Sequence, residues 1–369
     1  MKTPFLKRLQ EACDLVGAKL EVIPGADNSG RITLPSGRVR YFHRLRWDLN
    51  TLGAAAIALD KDATAHLLKR FGYTVPTGRS FSYDGRLHVA RDIGGAYAYA
   101  QKLGLPVLLK PNDSYGDQHV FVVYTRRQFY AAAREVFAAS KKLLVQRIAR
   151  GSDCSIVVLD GEVLMASEKT RPYVLGDGHS TIRRLIATSQ RRSRAAGHPT
   201  QLRVDDARVG RHLAHSRKGL ETVPSVGQRV ELLACGNLGV GGDVRVVTDV
   251  LHPTLRALAI RAVGDMGLRL ASLDLVLSQP SDALPRRCTL LEVNSAPGLD
   301  THERAPGWSR RRVDRVCKIL LALDRDLDEK DFGGLRSRGK ADREARTPGT
   351  RREQPSVDAG TMATSTRLG

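Results

Sequence analysis

Two oxygen-bearing side chains, Glu292 and Asn294, stand two residues apart in the run Leu290–Gly298 (LLEVNSAPG). In a β-strand, residues i and i+2 point to the same face, so the two side chains would converge on one point. Asp274, in the apolar run 271–277, offers a third oxygen ligand. Carboxylate and amide oxygens suit a hard cation such as Mg²⁺, which usually shares its coordination with substrate phosphates. The pattern therefore predicts a metal site on two adjacent strands. The alternative is a solvated strand end followed by an ordinary turn at 294–298.

Length and composition indicate a soluble globular protein of two or three domains. The chain has 369 residues, of which 41% are hydrophobic. No apolar run approaches the roughly 20 residues that span a bilayer, and the N-terminus has no apolar signal segment. The five cysteines are isolated and form no CxxC pair. This argues against a disulfide framework or a zinc site, and it favours a cytoplasmic location.

The formal net charge of +20 is compatible with nucleic acid, an acidic polymer or small anionic substrates. Aromatic residues make up only 5% of the chain, and no zinc-finger spacing or basic heptad is present, so nucleic acid is not the expected partner. Part of the charge falls in a polar stretch that we expect not to fold, which contains Arg183, Arg184, Arg191, Arg192 and Arg194. Solvated surface explains most of this charge, while steering of an acidic substrate towards the site is left open.

Hydrophobic periodicity predicts helices and strands mixed along the chain, which is typical of an α+β or α/β enzyme. The predicted elements are a helix and strand within 4–23, a hairpin about 35–37, a helix at 61–70 capped by Asp60, strands at 107–110 and 120–124, a helix at 127–139, strands at 143–146 and 155–159, a hairpin turn at 160–161 and a helix after Pro253. From about residue 333 Gly, Arg, Ser, Thr and Pro dominate, so 333–369 is expected to be a disordered basic tail.

Five sequence blocks in order resemble the ATP-grasp carboxylate–amine ligases. They are Ala58–Thr64, Leu105–Pro111, Arg171–Ile182, Gly236–Gly242 followed by His252–Pro253, and Glu292–Gly298. Within this superfamily the blocks are most similar to the ATP-grasp domains of cyanophycin synthetase and of bifunctional glutamate–cysteine ligase/glutathione synthetase. The resemblance runs from about residue 50 to residue 307, which is most of the chain expected to fold.

The resemblance implies an α+β ATP-grasp fold, in which two subdomains clasp ATP. Residues 1–50 would form a small N-terminal α/β segment. Residues 51–330 would form the ATP-grasp domain, with a small subdomain at about 60–150 and a C-terminal subdomain at 151–330 that carries the metal site.

The resemblance also assigns roles to residues. It implies catalytic roles for Lys110 and Arg245, and contacts to ATP from Lys61, Lys110, Ser114, Gln146, Arg147, Ala149, Asp153 and Asn237. It implies that Asp274, Glu292 and Asn294 bind two Mg²⁺ ions, with Mn²⁺ as an alternative. Lys110 directly follows the apolar residues 107–109, and a charge that ends a buried strand usually has a partner.

The sequence departs from the family pattern in three places. The loop after Asn112 keeps only one glycine, Gly116. At the hinge, Gln146 stands where the family pattern has an acidic residue. Two residues after the Gly-x-Asp turn, Ser155 stands where the family has an arginine that would meet the acyl substrate. Arg245, Lys169 and Arg171 are the candidates to take over the role of that arginine.

The implied activity is an ATP- and Mg²⁺-dependent ligase that joins a carboxylate to an amine through an acylphosphate, with release of ADP and phosphate. The expected partners are a small carboxylate and a small amine, each an amino acid or short peptide. An acidic substrate and a homodimer are both left open, and no membrane is expected. The altered loop and Ser155 leave a second hypothesis, an inactive ATP-binding sensor or scaffold of the same fold.

Overall fold

The computed structural model describes residues 3–26, 28–82, 89–113, 119–195, 202–233, 244–277, 288–299 and 308–325. In these residues helices alternate with strands, and every strand pairing is antiparallel, which confirms the α+β class. The predicted tail, Ser114 and Asn237 lie outside the described residues.

The N-terminal part forms a helix and a four-stranded sheet. Helix α1 (Pro4–Val16) starts at Thr3, whose hydroxyl accepts the N–H of Leu6, and ends at Gly17 in a left-handed conformation. The sheet has the order β1-β2-β3-β4 and consists of β1 (Lys19–Val22), β2 (Ser29–Thr33), β3 (Val39–His43) and β4 (Arg46–Trp47). The predicted first helix, strand and hairpin are therefore confirmed. The hydrophobic core of these elements also contains residues of helix α9 (Trp308–Asp324) and of the large sheet. The division of the chain at residue 50 therefore stays a prediction.

The small sheet has the order β5-β8-β6-β7 and is covered on one face by two helices. Its elements are β5 (Gly78–Ser82), α4 (Val89–Leu103), β6 (Val107–Pro111), β7 (Phe121–Val123), α5 (Arg126–Ala139) and β8 (Lys142–Arg147). Val107 and Leu109 are fully buried against the helices, so the alternate residues Leu108 and Lys110 point to the other face.

The large sheet has the order β13-β10-β9-β14-β15. Its strands are β9 (Ser152–Leu159), β10 (Glu162–Lys169), β13 (Val244–Val246), β14 (Leu270–Leu277) and β15 (Cys288–Asn294). Asp160 and Gly161 both have positive φ angles, as the tight turn predicted between β9 and β10 requires. Helix α8 (Pro253–Asp265) packs on one face of this sheet.

The opposite face of the large sheet is divided into two halves. Val157, Met165 and Leu270 form an apolar half that packs against α1 and α9. The strand register continues this same face into a polar half, which carries Asp153, Ser155, Lys169, Ser272, Asp274, Glu292 and Asn294.

Residues 173–231, which we call the insert, fold between β10 and β13. They contain β11 (Tyr173–Leu175), α6 (Ile182–Ala195), α7 (Ala207–His215) and β12 (Arg229–Glu231), with a hydrophobic core of their own. The expectation that the stretch with Arg183, Arg184, Arg191, Arg192 and Arg194 does not fold is wrong. These residues, the α6 arginines, lie on a helix because Ile182 and Ile186 bury one face of it, while all five arginines are exposed.

The Gly176-Asp-Gly178 block forms a tight loop in the insert. A Cβ atom on Gly176 would lie 2.1 Å from the carbonyl oxygen of Ser225, and Gly178 has a φ of +81°. The Asp177 carboxylate accepts the N–H groups of Ser180 and His179, which hold its pKa well below the usual range. The block therefore has a structural explanation as a loop that docks on residues 224–226.

Candidate active site

Asp274 and Glu292 lie opposite each other on β14 and β15. Asn294 follows on the same face of β15 and donates a hydrogen bond from Nδ2 to Oε1 of Glu292 at 3.1 Å. The Oγ of Ser155, on the neighbouring strand β9, donates to Oδ1 of Asp274. As the spacing predicts, the three oxygen-bearing residues meet on one face of two paired strands.

Three lysines surround these carboxylates. Lys61 Nζ lies 3.6 Å from Oε2 of Glu292, and Lys169 Nζ lies 3.4 Å from Oδ2 of Asp274. Lys61 and Lys110 are only 9% and 8% exposed. Burial raises the pKa of Glu292, but the positive charges of Lys110 and Lys61 and the hydrogen bond from Asn294 outweigh it and hold this pKa below its usual value. The carboxylate of Glu292 is therefore ionised at neutral pH.

The start of helix α3 (Lys61–Arg70), which follows the short helix α2 (Leu52–Leu59), brings Lys61 and Lys110 together. Asp60 caps this helix by accepting the N–H groups of Asp62 and Ala63, as the sequence predicts, and it binds Lys142 Nζ at 2.9 Å. Burial raises the pKa of Asp60, but its hydrogen bonds and the charge of Lys142 outweigh burial, so that the pKa lies below its usual value.

Asn112, two residues after Lys110, holds the end of β6 against the start of α3. Its side chain is fully buried, its backbone carbonyl accepts the N–H of Lys61 at 3.2 Å, and its Oδ1 accepts the N–H of Asp62 at 3.0 Å. The end of β6 is thereby fixed on the start of α3. Sequence reasoning missed Asn112 as a positioning residue, because its position after a Lys-Pro pair does not reveal the helix that it contacts.

The hinge between β8 and β9 positions a second group of the predicted residues. Gln146 is buried and pairs with Gly78 on β5. A Cβ atom added to Gly78 would lie 3.1 Å from the Cγ of Gln146. Arg147 is exposed and donates to the carbonyl of Leu103 at 3.2 Å, away from the carboxylates, while Ala149 is half-buried in the following loop.

The structure does not bring Arg245 to the carboxylates. Arg245 lies on β13 opposite Glu168, to which its Nη2 donates at 2.6 Å, and its side chain is 70% exposed. Glu168 precedes Lys169 on the same strand, so the Arg245–Glu168 pair lies on the other face of the sheet from Lys169 and Asp274. Among the residues that the sequence offered in place of the missing arginine, Lys169 is the one in contact with Asp274.

A cavity of about 390 Å³ opens beside this polar half of the sheet. Its walls come from the small sheet, the hinge, the strands β9 and β10, and the insert. Of the predicted nucleotide-binding residues Asp153 lines it, and Lys169 both lines it and contacts Asp274. His212 of α7 also lines it, which sequence reasoning missed, since nothing in the sequence indicates where α7 packs.

The donor set fits a hard divalent cation. Two carboxylates and an amide from adjacent strands are oxygen ligands of the kind that Mg²⁺ takes, and Glu292 is held in its ionised form. Among the described residues no cluster of three or more His, Cys, Asp or Glu side chains that could hold a metal ion is present. Nor does any described helix have the length and apolar character needed to cross a membrane.

Sequence comparison relates the chain to longer proteins. It is 33% identical over 279 residues to the cyanophycin synthetase of Trichormus variabilis, covering 72% of this chain and 29% of that protein. It is 28% identical over 253 residues to the glutathione biosynthesis bifunctional protein of Streptococcus mutans, covering 66% of this chain and 32% of that protein. The chain thus spans less than a third of the length of these curated relatives. No protein-family model matches it.

Structure comparison defines the fold. A bifunctional glutathione synthetase from Pasteurella multocida superposes with a TM-score of 0.53 at 21% identity, over 85% of this chain and 44% of that one. The fold is that of an ATP-grasp protein. The chain belongs to the ATP-grasp carboxylate–amine ligase superfamily, and its sequence relatives include cyanophycin synthetases and bifunctional glutathione proteins.

Proposed function

We propose that the chain is an ATP- and Mg²⁺-dependent ligase that joins a carboxylate to an amine and releases ADP and phosphate. The observation that carries this proposal is that Lys61 of α3, Lys110 of β6 and Lys169 of β10 surround the carboxylates of Asp274 and Glu292. Alternating cations and carboxylates, with oxygen ligands for a metal, form the environment that phosphoryl transfer needs, because this chemistry depends on alignment and charge neutralisation more than on covalent help.

In this proposal the lysines bind the polyphosphate. Lys61 and Lys110 are held together by the contact of Asn112 with α3, so their ammonium groups are oriented before ATP binds. Asp153, at the start of β9 and on the cavity wall, would accept hydrogen bonds from the ribose hydroxyls. The buried Gln146 would meet the adenine amino group through its carbonyl oxygen.

Asp274, Glu292 and Asn294 would hold the metal. When bound, Mg²⁺ supplies Lewis-acid stabilisation of the phosphate oxygens. Lys169 beside Asp274 would then face the acyl substrate, in the place where the family pattern has an arginine and this chain has Ser155.

The proposed reaction has two steps. A carboxylate oxygen attacks the γ-phosphorus of ATP, and ADP leaves to give an acylphosphate. The amine nitrogen then attacks the carbonyl carbon, the amide C–N bond forms, phosphate leaves with the electron pair of the broken C–O bond, and the nitrogen gives up one proton. Because two relatives are named for cyanophycin and glutathione synthesis, the substrates we propose are amino acids or short peptides, and the formal charge of +20 favours acidic ones.

A second candidate function is ATP binding without catalysis. The hydrogen bond from Ser155 to Asp274 favours it, because a neutral hydroxyl occupies the carboxylate oxygen and does not replace the charge of an arginine. Such a protein would bind nucleotide and form no ADP with any substrate.

A substrate screen separates the two. The protein is incubated with ATP, Mg²⁺ and the twenty L-amino acids or their dipeptides, and ADP is measured. We expect ADP only in the presence of a carboxylate–amine pair, with an amide product detected by mass spectrometry. Calorimetric binding of ATP with no ADP across the whole screen would instead support the non-catalytic protein.

A further inference from the structure

Helix α7 of the insert is fixed against the small sheet at the rim of the cavity. Val209 and Leu213 anchor it in the core of the insert, and Asp206 caps its first turn. Its outer face reaches β7, where the guanidinium of Arg211 lies 5.4 Å from the ring centre of Phe121. His215 stacks on Tyr124 with 4.0 Å between ring centres. His212 lies between these two contacts and lines the cavity, so its imidazole is held on a rigid element.

The imidazole of His212 is neutral at neutral pH. Burial lowers its pKa below the ordinary value of 6.5, the charges of Arg171 and His215 lower it further, and the carboxylate of Glu231 opposes them. Arg171 and Glu231 form an ion pair of 3.3 Å beside the ring. The other charged groups on the same cavity wall are Arg150, Asp153, Lys169 and Arg229.

The two ring nitrogens of His212 differ. Nδ1 is buried and has no hydrogen-bond partner in the described structure, so Nε2 is the nitrogen that a molecule in the cavity can meet. With its proton on Nδ1, the neutral ring presents the Nε2 lone pair, and the nearby Glu231 would stabilise the ring after it gains a second proton.

The wall that holds His212 is connected to the phosphoryl-transfer centre. Arg171 beside His212 is two residues from Lys169, about 7 Å along the chain if it is extended. Lys169 lines the same cavity and contacts Asp274 at 3.4 Å. His212 and Lys169 therefore line one cavity, so that a molecule bound in it can contact both side chains.

We propose that His212 is the general base of the amide-forming step and that the cavity wall made by His212, Arg171 and Glu231 binds the acceptor amine. This inference rests on the proposed ligase function. As the amine nitrogen attacks the acylphosphate, its C–N bond forms, phosphate leaves with the electron pair of the C–O bond, and one proton moves from the nitrogen to Nε2 of His212. Proton transfer of this kind contributes about 10²–10⁴-fold to rate.

Trapping with hydroxylamine separates this step from the first one. Hydroxylamine is a small nucleophile that converts an acylphosphate to a hydroxamate without a protein base. The wild type and His212→Gln are given ATP, Mg²⁺ and each of the twenty L-amino acids, with hydroxylamine in one arm. In the other arm the same amino acids and their dipeptides serve as amines. The exposed His66 on α3 provides the control variant His66→Gln.

We expect His212→Gln to keep hydroxamate formation within about twofold and to lose amide formation by at least about 10²-fold. His66→Gln should keep both, and added imidazole should partly restore amide formation in His212→Ala. The ratio of the amide-forming rates of the wild type and His212→Gln should fall as the pH drops below 6.5, because only the wild type loses a base when His212 becomes protonated, while protonation of the amine affects both proteins alike.

Equal loss of both products in His212→Gln, or a raised KM for ATP, would assign the residue to nucleotide binding or to structure and overturn the inference. Full amide formation in the variant would overturn it as well, as would a wild type that forms hydroxamate and joins no amine. If His212→Gln does not fold, His212→Asn is measured in the same two arms, with the same expected and contradicting results. A wild type that forms neither product contradicts the proposed function instead.

Discussion

Replacing Glu292 by glutamine removes one negative charge from the site and keeps the shape of the side chain. Glu292 is 19% exposed, and Lys61 Nζ lies 3.6 Å from its Oε2. Loss of one partner from a buried ion pair costs about 3–5 kcal/mol, because the remaining charge stays buried. Since Glu292 is partly accessible, we expect the lower end, about 3 kcal/mol, and a fall in Tm of roughly 5–10 °C. A domain of ordinary stability stays folded after such a loss.

The pH dependence of this difference has a definite sign. The pKa of Glu292 in the folded chain lies below the ordinary value of 4.5, because Lys110, Lys61 and Asn294 favour the charged form over the effect of burial. Its contribution to stability is therefore complete above pH 4.5 and is lost as the pH falls through the lowered folded pKa. The stability gap between the wild type and Glu292→Gln should be constant near neutral pH and should close in acid.

Thermal unfolding and ADP release test these expectations together. We expect Glu292→Gln to lose at least about 10² in ADP-forming rate, because several kcal/mol of charge stabilisation depend on the metal. Glu221→Gln is the matched control, since Glu221 also pairs with a cation, Arg183, but is 71% exposed. Full ADP formation by Glu292→Gln would refute the metal assignment, and a Tm equal to that of the wild type would refute the assigned ion pair.

Four further predictions follow from the same contacts and from the sequence. Asp60→Ala removes the cap of α3 and should cost about 1–2 kcal/mol in urea unfolding, with a matching loss of ATP affinity as Lys61 shifts. Gly151→Ala should destabilise the hinge by about 2–4 kcal/mol, since φ is +142° and the new Cβ would lie 1.9 Å from the carbonyl oxygen of Leu277; an unchanged Tm would contradict this. Truncation after Phe332 should leave the Tm and the ATP affinity unchanged. Alanine in place of the last three α6 arginines should weaken the salt dependence of KM for an acidic carboxylate, and a KM that is flat with salt in both proteins would exclude steering.

The sequence alone indicates much of the local structure and the convergence of Glu292 and Asn294 on one face of a strand. The Asp60 cap, the Asp160–Gly161 turn and the strand with Glu292 and Asn294 follow from short-range rules of capping, turn geometry and period-two alternation. These rules depend only on neighbours within a few residues, so they can be applied without knowledge of the fold. The α6 arginines show the limit of such rules, because two isoleucines per helix face are a weak signal until the core that buries them is known.

The sequence also offered Arg245, Lys169 and Arg171 as equal replacements for the arginine that Ser155 displaces, and it gave no reason to single out His212. The tertiary structure distinguishes them. The strand register puts Lys169 on the face of Asp274 and Arg245 on the other face, and the packing of α7 brings His212 to the cavity. What a residue is and what its near neighbours are can be read along the chain. Which side chains share a site depends on strand pairing and helix packing between residues more than 100 positions apart, such as Lys169 and Asp274, and only the folded core fixes those pairings.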